Sequence, residues 1–99
     1  MQVYLNGSYL DRNDAKISVS DRGFLFGDAI YEVIRSVNGF LFREKEHLER
    51  LKEGLTELNL KLDKPCYSHL PEIFKELLKR NDLLNREATI YVQITRGAA

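Results

Sequence analysis

Two tyrosines, two arginines and a valine stand where the sequence pattern would let them act on a small anion. Within Ile30–Val37, the period-two geometry of a strand puts Tyr31, Val33 and Arg35 on one face and Ile30, Glu32, Ile34 and Ser36 on the other. Glu87–Thr95 alternates in the same way, with Ile90, Val92 and Ile94 on one side and Tyr91, Gln93 and Thr95 on the other. If the two strands are neighbours, Tyr31, Tyr91 and Arg35 line one cleft. A guanidinium flanked by phenol hydroxyls suits a carboxylate. The competing reading is a surface ion pair for Arg35, with the tyrosines capping the sheet edge. Arg50 follows His47 by three positions, so the two share a helix face. The planar fork of arginine suits bidentate binding of a phosphate. Against that stands a solvated face on which Glu46 and Arg50 form an i,i+4 pair worth about 0.3–0.5 kcal/mol.

The remaining polar residues carry less chemistry. Asp21-Arg22-Gly23 and Phe26-Gly27-Asp28 read as turns, with the glycines allowing positive φ or a close approach of backbone. Neither the G-x-G-x-x-G dinucleotide spacing nor a P-loop is present. His47, His69 and Cys66 lack the spacing of metal ligands. Cys66 reads as a small packed side chain and His69 as a helix-start residue. Arg22 and Arg96 each sit beside a turn glycine, where they either bind an anion or fix the loop.

The elements that must position these residues are legible from the pattern. Asn6-Gly7 joins Val3–Leu5 to Ser8–Leu10, and Asn38-Gly39 joins Ile30–Val37 to Phe40–Phe42, both as type I′ hairpins. Leu48, Leu51, Leu55 and Leu58 recur at helical spacing in Arg43–Leu58, although Gly54 weakens the tail of that helix. Leu70, Ile73, Phe74, Leu77 and Leu78 form one stripe in Tyr67–Arg80, with Pro71 confined to the first turn and Ser68 as the expected N-cap. These elements predict an α+β fold, a two-layer sandwich of a mostly antiparallel sheet with two helices packed on one face.

The 99 residues predict one domain with a small core, and the 43% hydrophobic content is too high for disorder. Fifteen basic residues balance fifteen acidic ones, so nothing points to nucleic acid as a partner. There is no apolar run of membrane-spanning length and no signal-peptide pattern at Met1-Gln2-Val3-Tyr4, which gives no membrane association and a cytoplasmic location as the expectation. Cys66 is the single cysteine, so no intrachain disulfide can form.

Several separated segments also resemble one family in the same order. They are the Asn6-Gly7 hairpin, the loop Asp21–Asp28, the strand Tyr31-Glu32-Val33-Ile34-Arg35, the Asn38-Gly39 hairpin, the helix Glu46-His47-Leu48-Glu49-Arg50-Leu51 and the closing Gln93-Ile94-Thr95-Arg96-Gly97. Together they resemble the N-terminal domain of class IV (fold-type IV) pyridoxal-phosphate aminotransferases, the D-amino-acid branch above all. Branched-chain enzymes typically read more like Phe-Glu-Gly-Ile-Arg at the strand. The resemblance implies that Arg50 holds the phosphate of pyridoxal 5′-phosphate, and that Tyr31, Val33, Arg35 and Tyr91 face the substrate. It implies an amino acid and a 2-oxo acid as substrates, and a homodimer. It also implies that residues 1–99 are the small N-terminal domain of a two-domain enzyme whose C-terminal domain is absent here. That absent domain would carry the lysine that forms the Schiff base, which none of Lys16, Lys45, Lys52, Lys61, Lys64, Lys75 and Lys79 matches. The chain alone is therefore expected to be catalytically incompetent. Aminodeoxychorismate lyases share the scaffold, and a non-catalytic α+β binding module is the further alternative.

Overall fold

The computed structural model describes residues 1–61 and 68–98. Cys66 and the expected helix start at Tyr67 lie outside the described residues. The chain folds as a hairpin of β1 (Gln2–Leu5) and β2 (Ser8–Asp11), a 3-10 turn (Arg12–Asp14), a short helix α1 (Arg22–Phe26), strands β3 (Ala29–Val37) and β4 (Phe40–Leu41), helices α2 (Glu44–Glu57) and α3 (Leu70–Arg80), and strand β5 (Glu87–Thr95). The main sheet has the order β4-β3-β5 and is antiparallel throughout, while β1 and β2 form a separate two-stranded sheet. The expected α+β architecture, an antiparallel sheet layered with helices, is the one observed.

Both hairpin turns use the conformations their residues favour. Asn6 and Gly7 have φ of 49° and 93°, and Asn38 and Gly39 have 50° and 79°, the double positive φ of a type I′ turn. The two long helices also end alike. Asn59 and Asp82 take left-handed φ of 54° and 55°. The next amides, of Leu60 and Leu83, each donate to the carbonyl five residues back, Leu55 and Leu78, at 2.8 Å. This is a Schellman closure made with Asn and Asp in place of glycine. At its start α2 carries Glu44 and Glu46, which complement the positive end of the helix. The expected cap at Ser68 is corrected: His69 occupies the cap position of α3 and makes no side-chain cap bond, with Pro71 in the first turn. Pro71 brings no amide hydrogen, so one of the donors a cap would satisfy is already missing there.

The core lies between the helices and one face of the sheet. Ile34 of β3, Ile90 of β5, Leu41 of β4, Leu51 of α2 and Leu70, Ile73, Phe74 and Leu78 of α3 form one buried cluster. Asn81, at the end of α3, fastens the β1–β2 hairpin to this core. Its amide donates to Gln2 O at 2.9 Å and its oxygen accepts from Gln2 N at 2.8 Å, which substitutes for a neighbouring strand.

Gly54 has a packing role that its helix propensity hides. It is buried, and a Cβ placed there would lie 1.5 Å from Ile30 Cδ1 and 2.8 Å from Ile30 Cγ1. The glycine lets α2 settle directly onto β3. Helix propensity alone favours Gly54→Ala by about 1 kcal/mol, whereas overpacking costs about 1–3 kcal/mol. Gly54→Ala is therefore expected to lower the unfolding free energy in urea. Ile30→Val in the same chain should recover part of the loss by removing the obstructing Cδ1. Two losses that simply add would show that the contact does not govern the helix position.

Candidate functional site

β3 presents two chemically different faces, and the site residues divide between them. Tyr31, Val33 and Arg35 are exposed on the face turned away from the helices, while Glu32, Ile34 and Ser36 are buried against them. The register with β5 pairs Val33 with Tyr91 and Tyr31 with Gln93. Tyr31 and Tyr91 are thus diagonal neighbours, and their rings stack with centroids 5.5 Å apart and planes 18° from parallel. The Tyr91 hydroxyl donates to Gln93 Oε1 at 2.6 Å, which fixes that ring from its polar end. Arg35 pairs with Glu87 at 3.0 Å across the register, with both side chains well exposed. The surface ion pair weighed for Arg35 is present, and it lies on the same open face as the two tyrosines.

Arg50 stands on the other side of the sheet, away from this group. Its Nε donates to Glu32 Oε2 at 2.9 Å and its Nη2 to Glu32 Oε1 at 2.7 Å, a bidentate fork on a carboxylate that is only 7% exposed. His47 Nδ1 meets Glu32 Oε1 at 2.6 Å. The i,i+4 pairing of Arg50 with Glu46 gives way to this longer-range pairing with β3. The reason is burial: α2 lies on β3, and a desolvated carboxylate gains more from a cation than a solvated one does. The Arg50 side chain nevertheless remains 67% exposed. Its bonds to Glu32 use two of the five N–H groups of a guanidinium and leave Nη1 outside the pair.

Glu32 is the residue that sequence reasoning passed over. Its signal was a lone carboxylate in phase with Ile30, Ile34 and Ser36 on the apolar face of a strand. Such a group requires a cation from the helix packed above it. His47 and Arg50, spaced i,i+3, supply the partners. The Arg50 hydrogen bonds, helped by the His47 bond, hold the Glu32 carboxyl below its ordinary range despite the opposing effect of burial. The same bonds raise Arg50 above its ordinary value.

The loop before β3 is a pinned structure. Asp21 caps α1 by accepting from Gly23 N at 2.8 Å, and it also accepts from Thr95 Oγ1 at 3.0 Å. Arg22 N donates to Gly97 O at 3.0 Å, and Gly97 N donates to Thr95 Oγ1 at 3.0 Å. A Cβ on Gly23 would lie 2.4 Å from Thr95 Cγ2, so glycine is what lets the loop close on the end of β5. Arg96 fixes the loop as well: Nε reaches Asp28 Oδ2 at 2.5 Å, and Nη2 reaches the Leu58 carbonyl at the end of α2 at 2.6 Å.

The α+β domain thus combines an antiparallel sheet with one aromatic, open face and a helix behind it that carries an exposed guanidinium. The family model described as Amino-transferase class IV matches residues 29–99. The chain is 45% identical over 98 residues to a D-alanine aminotransferase of Staphylococcus epidermidis, covering 99% of this chain and 34% of that protein. It is 38% identical over 99 residues to one from Bacillus licheniformis, covering all of this chain and 34% of that protein. The solved structure of the T.th. branched-chain amino acid aminotransferase complexed with N-(5′-phosphopyridoxyl)-L-glutamate superposes with a TM-score of 0.86 at 27% identity, covering 98% of this chain and 33% of that one. This chain belongs to the class IV aminotransferase family. It spans about a third of the length of the curated relatives it matches.

The lowered carboxyl of Glu32 has a stability consequence with a definite sign. A carboxylate whose folded pKa lies below its unfolded value of about 4.5 stabilises the fold fully above that pH. The contribution is then lost as the pH falls through the folded value. The unfolding free energy of the wild-type chain is expected to drop more steeply from about pH 5 downward than that of Glu32→Gln, as measured by urea titration at each pH. Parallel curves would remove Glu32 from the acid response.

Proposed function

We propose that this chain is the small N-terminal domain of a two-domain aminotransferase that uses pyridoxal 5′-phosphate. Its reaction moves an amino group between an amino acid, D-amino acids favoured, and a 2-oxo acid. The observation that carries this reading is the match to D-alanine aminotransferases along essentially the whole chain, at 45% identity over 98 residues. The donor set at Arg50 fits the cofactor's phosphate: the guanidinium is held on one edge by Glu32 and exposed on the rest. Such a fork can donate to two oxygens of a phosphate ester without first being ordered.

In this reading Arg50 holds the phosphate. The stacked Tyr31 and Tyr91, with Val33 directly opposite Tyr91 in the register, form a wall that shapes the space for the substrate side chain and excludes water from it. Arg35 adds positive charge on that wall and favours the carboxylate that amino acids and 2-oxo acids share. When bound, the cofactor supplies an electron sink for removal of the α-proton. None of the seven lysines in this sequence is assigned the covalent link or the proton transfer, so the chain by itself is proposed to be inactive. The whole protein is proposed to be a homodimer, a reading supported by Val19, Phe24 and Phe26, each at least 75% exposed.

A chimera tests the assignment. Residues 1–98 replace the segment they match in the S. epidermidis D-alanine aminotransferase. The chimera is expected to transaminate D-alanine, and Arg50→Ala within it to weaken cofactor affinity about 10- to 100-fold. A soluble, folded chimera without turnover would count against the reading, as would turnover by the 99-residue chain alone. Light scattering on the isolated chain at tens of micromolar checks the tendency to self-associate. A clean monomer there would speak against these apolar residues as an interface.

A further inference from the structure

We infer that Glu32 is a positioning residue for the Arg50 site: its buried carboxylate sets the pose of the Arg50 fork and, through Nδ1, the tautomer of His47. This deepens the proposed function and rests on Arg50 as the phosphate-holding residue. The donors around the carboxylate fix its protonation. Glu32 accepts from both Nε and Nη2 of Arg50, one bond on each oxygen, and this fork holds the carboxyl below its ordinary range and so ionised at neutral pH. An ionised carboxylate cannot donate, so the proton in the 2.6 Å contact with His47 resides on Nδ1. The 3.4 Å approach of Arg50 Nη2 to that Nδ1 is then one donor facing another, not a hydrogen bond. In a neutral His47 ring, Nε2 becomes the acceptor; in a protonated ring it becomes a second donor.

Geometry gives the Glu32 contacts their consequence. An exposed arginine samples many rotamers, and ordering it on a ligand costs affinity. Here the guanidinium is ordered in advance from below by a group that sits on the rigid β3 strand at 7% exposure. Three N–H donors of the fork remain for an oxyanion. Charge and pose then predict opposite outcomes for the same substitution. Removing the negative charge beside Arg50 would strengthen anion binding if only Coulomb attraction mattered. Losing the pose weakens it.

The test uses the chain with ¹⁵N-labelled side chains and inorganic phosphate as the probe. In the wild type, His47 is expected to carry a proton on Nδ1, and the Arg50 Nε–H is expected to be protected from exchange. Glu32→Gln should shift His47 toward the Nε2–H tautomer, deprotect Arg50 Nε–H and weaken phosphate binding about three- to tenfold. Glu32→Asp keeps the charge but shortens the reach. It should weaken phosphate binding similarly, and it carries the test if Glu32→Gln does not give a dispersed amide spectrum. Tighter phosphate binding in Glu32→Gln, or an unchanged tautomer and unchanged affinity in a folded variant, overturns the positioning role. Absence of phosphate binding at Arg50 in the wild type overturns the reading of Arg50 itself, and the two failures are thereby told apart.

Discussion

The seating of α2 directly on β3 is the constraint on which the rest of this structure depends. Gly54 allows it sterically, because nothing larger than hydrogen fits over Ile30. Glu32 defines it electrostatically, because the carboxylate under the helix meets His47 and Arg50 there. The two contacts involve opposite ends of the same helix and neighbouring residues of the same strand. Together they fix the rotation of α2 as well as its height above the sheet. With α2 placed, Leu51 joins Ile34 in the core and Arg50 emerges at the edge of the layer. The open side of β3 is left for Tyr31, Val33 and Arg35.

Much of this was readable from residue order because strand and helix periods translate directly into faces. Alternation along β3 and β5 gave their two sides, the Asn-Gly pairs gave both hairpins, and the leucine spacing gave α2 and the stripe of α3. What period cannot convey is which distant element covers a face. Arg50 had a nearer carboxylate in Glu46, and only the packing of α2 on β3 brings Glu32 within reach. The short helix α1 was equally hidden. Its five residues are too few to show a repeat, and it is held by Asp21 and by the end of β5, a contact between positions 74 apart. Gly54 was misread for a related reason, since propensity measures an isolated helix and its value here comes from a neighbour.

Membership of the class IV aminotransferase family fits this division of labour between faces. The same scaffold serves enzymes named for D-alanine and for branched-chain amino acids. In this chain the helix side is committed to a charged cluster tied into the core, and the open side is made of exposed side chains with few constraints beyond the sheet itself. Substitutions on the open side, such as Val33 or Tyr91, disturb little of the packing that holds Arg50. A scaffold built this way can change the shape of one side while keeping the exposed guanidinium of the other in place.

The pairing of β3 with β5 has a temporal consequence. The register joins Ala29 to Thr95 and Val37 to Glu87, so about half the chain separates the two strands. The β3–β4 hairpin and both long helices depend on local contacts and can form early. The ladder to β5 must wait for a long loop to close. During synthesis the tyrosine wall is therefore assembled after these local elements: Tyr31 emerges with one strand edge unsatisfied and meets Tyr91 only after β5 has left the ribosome. Until then the centre of the sheet is an uncovered edge, and the Asn-Gly turn and the short β4 strand shield only its other side.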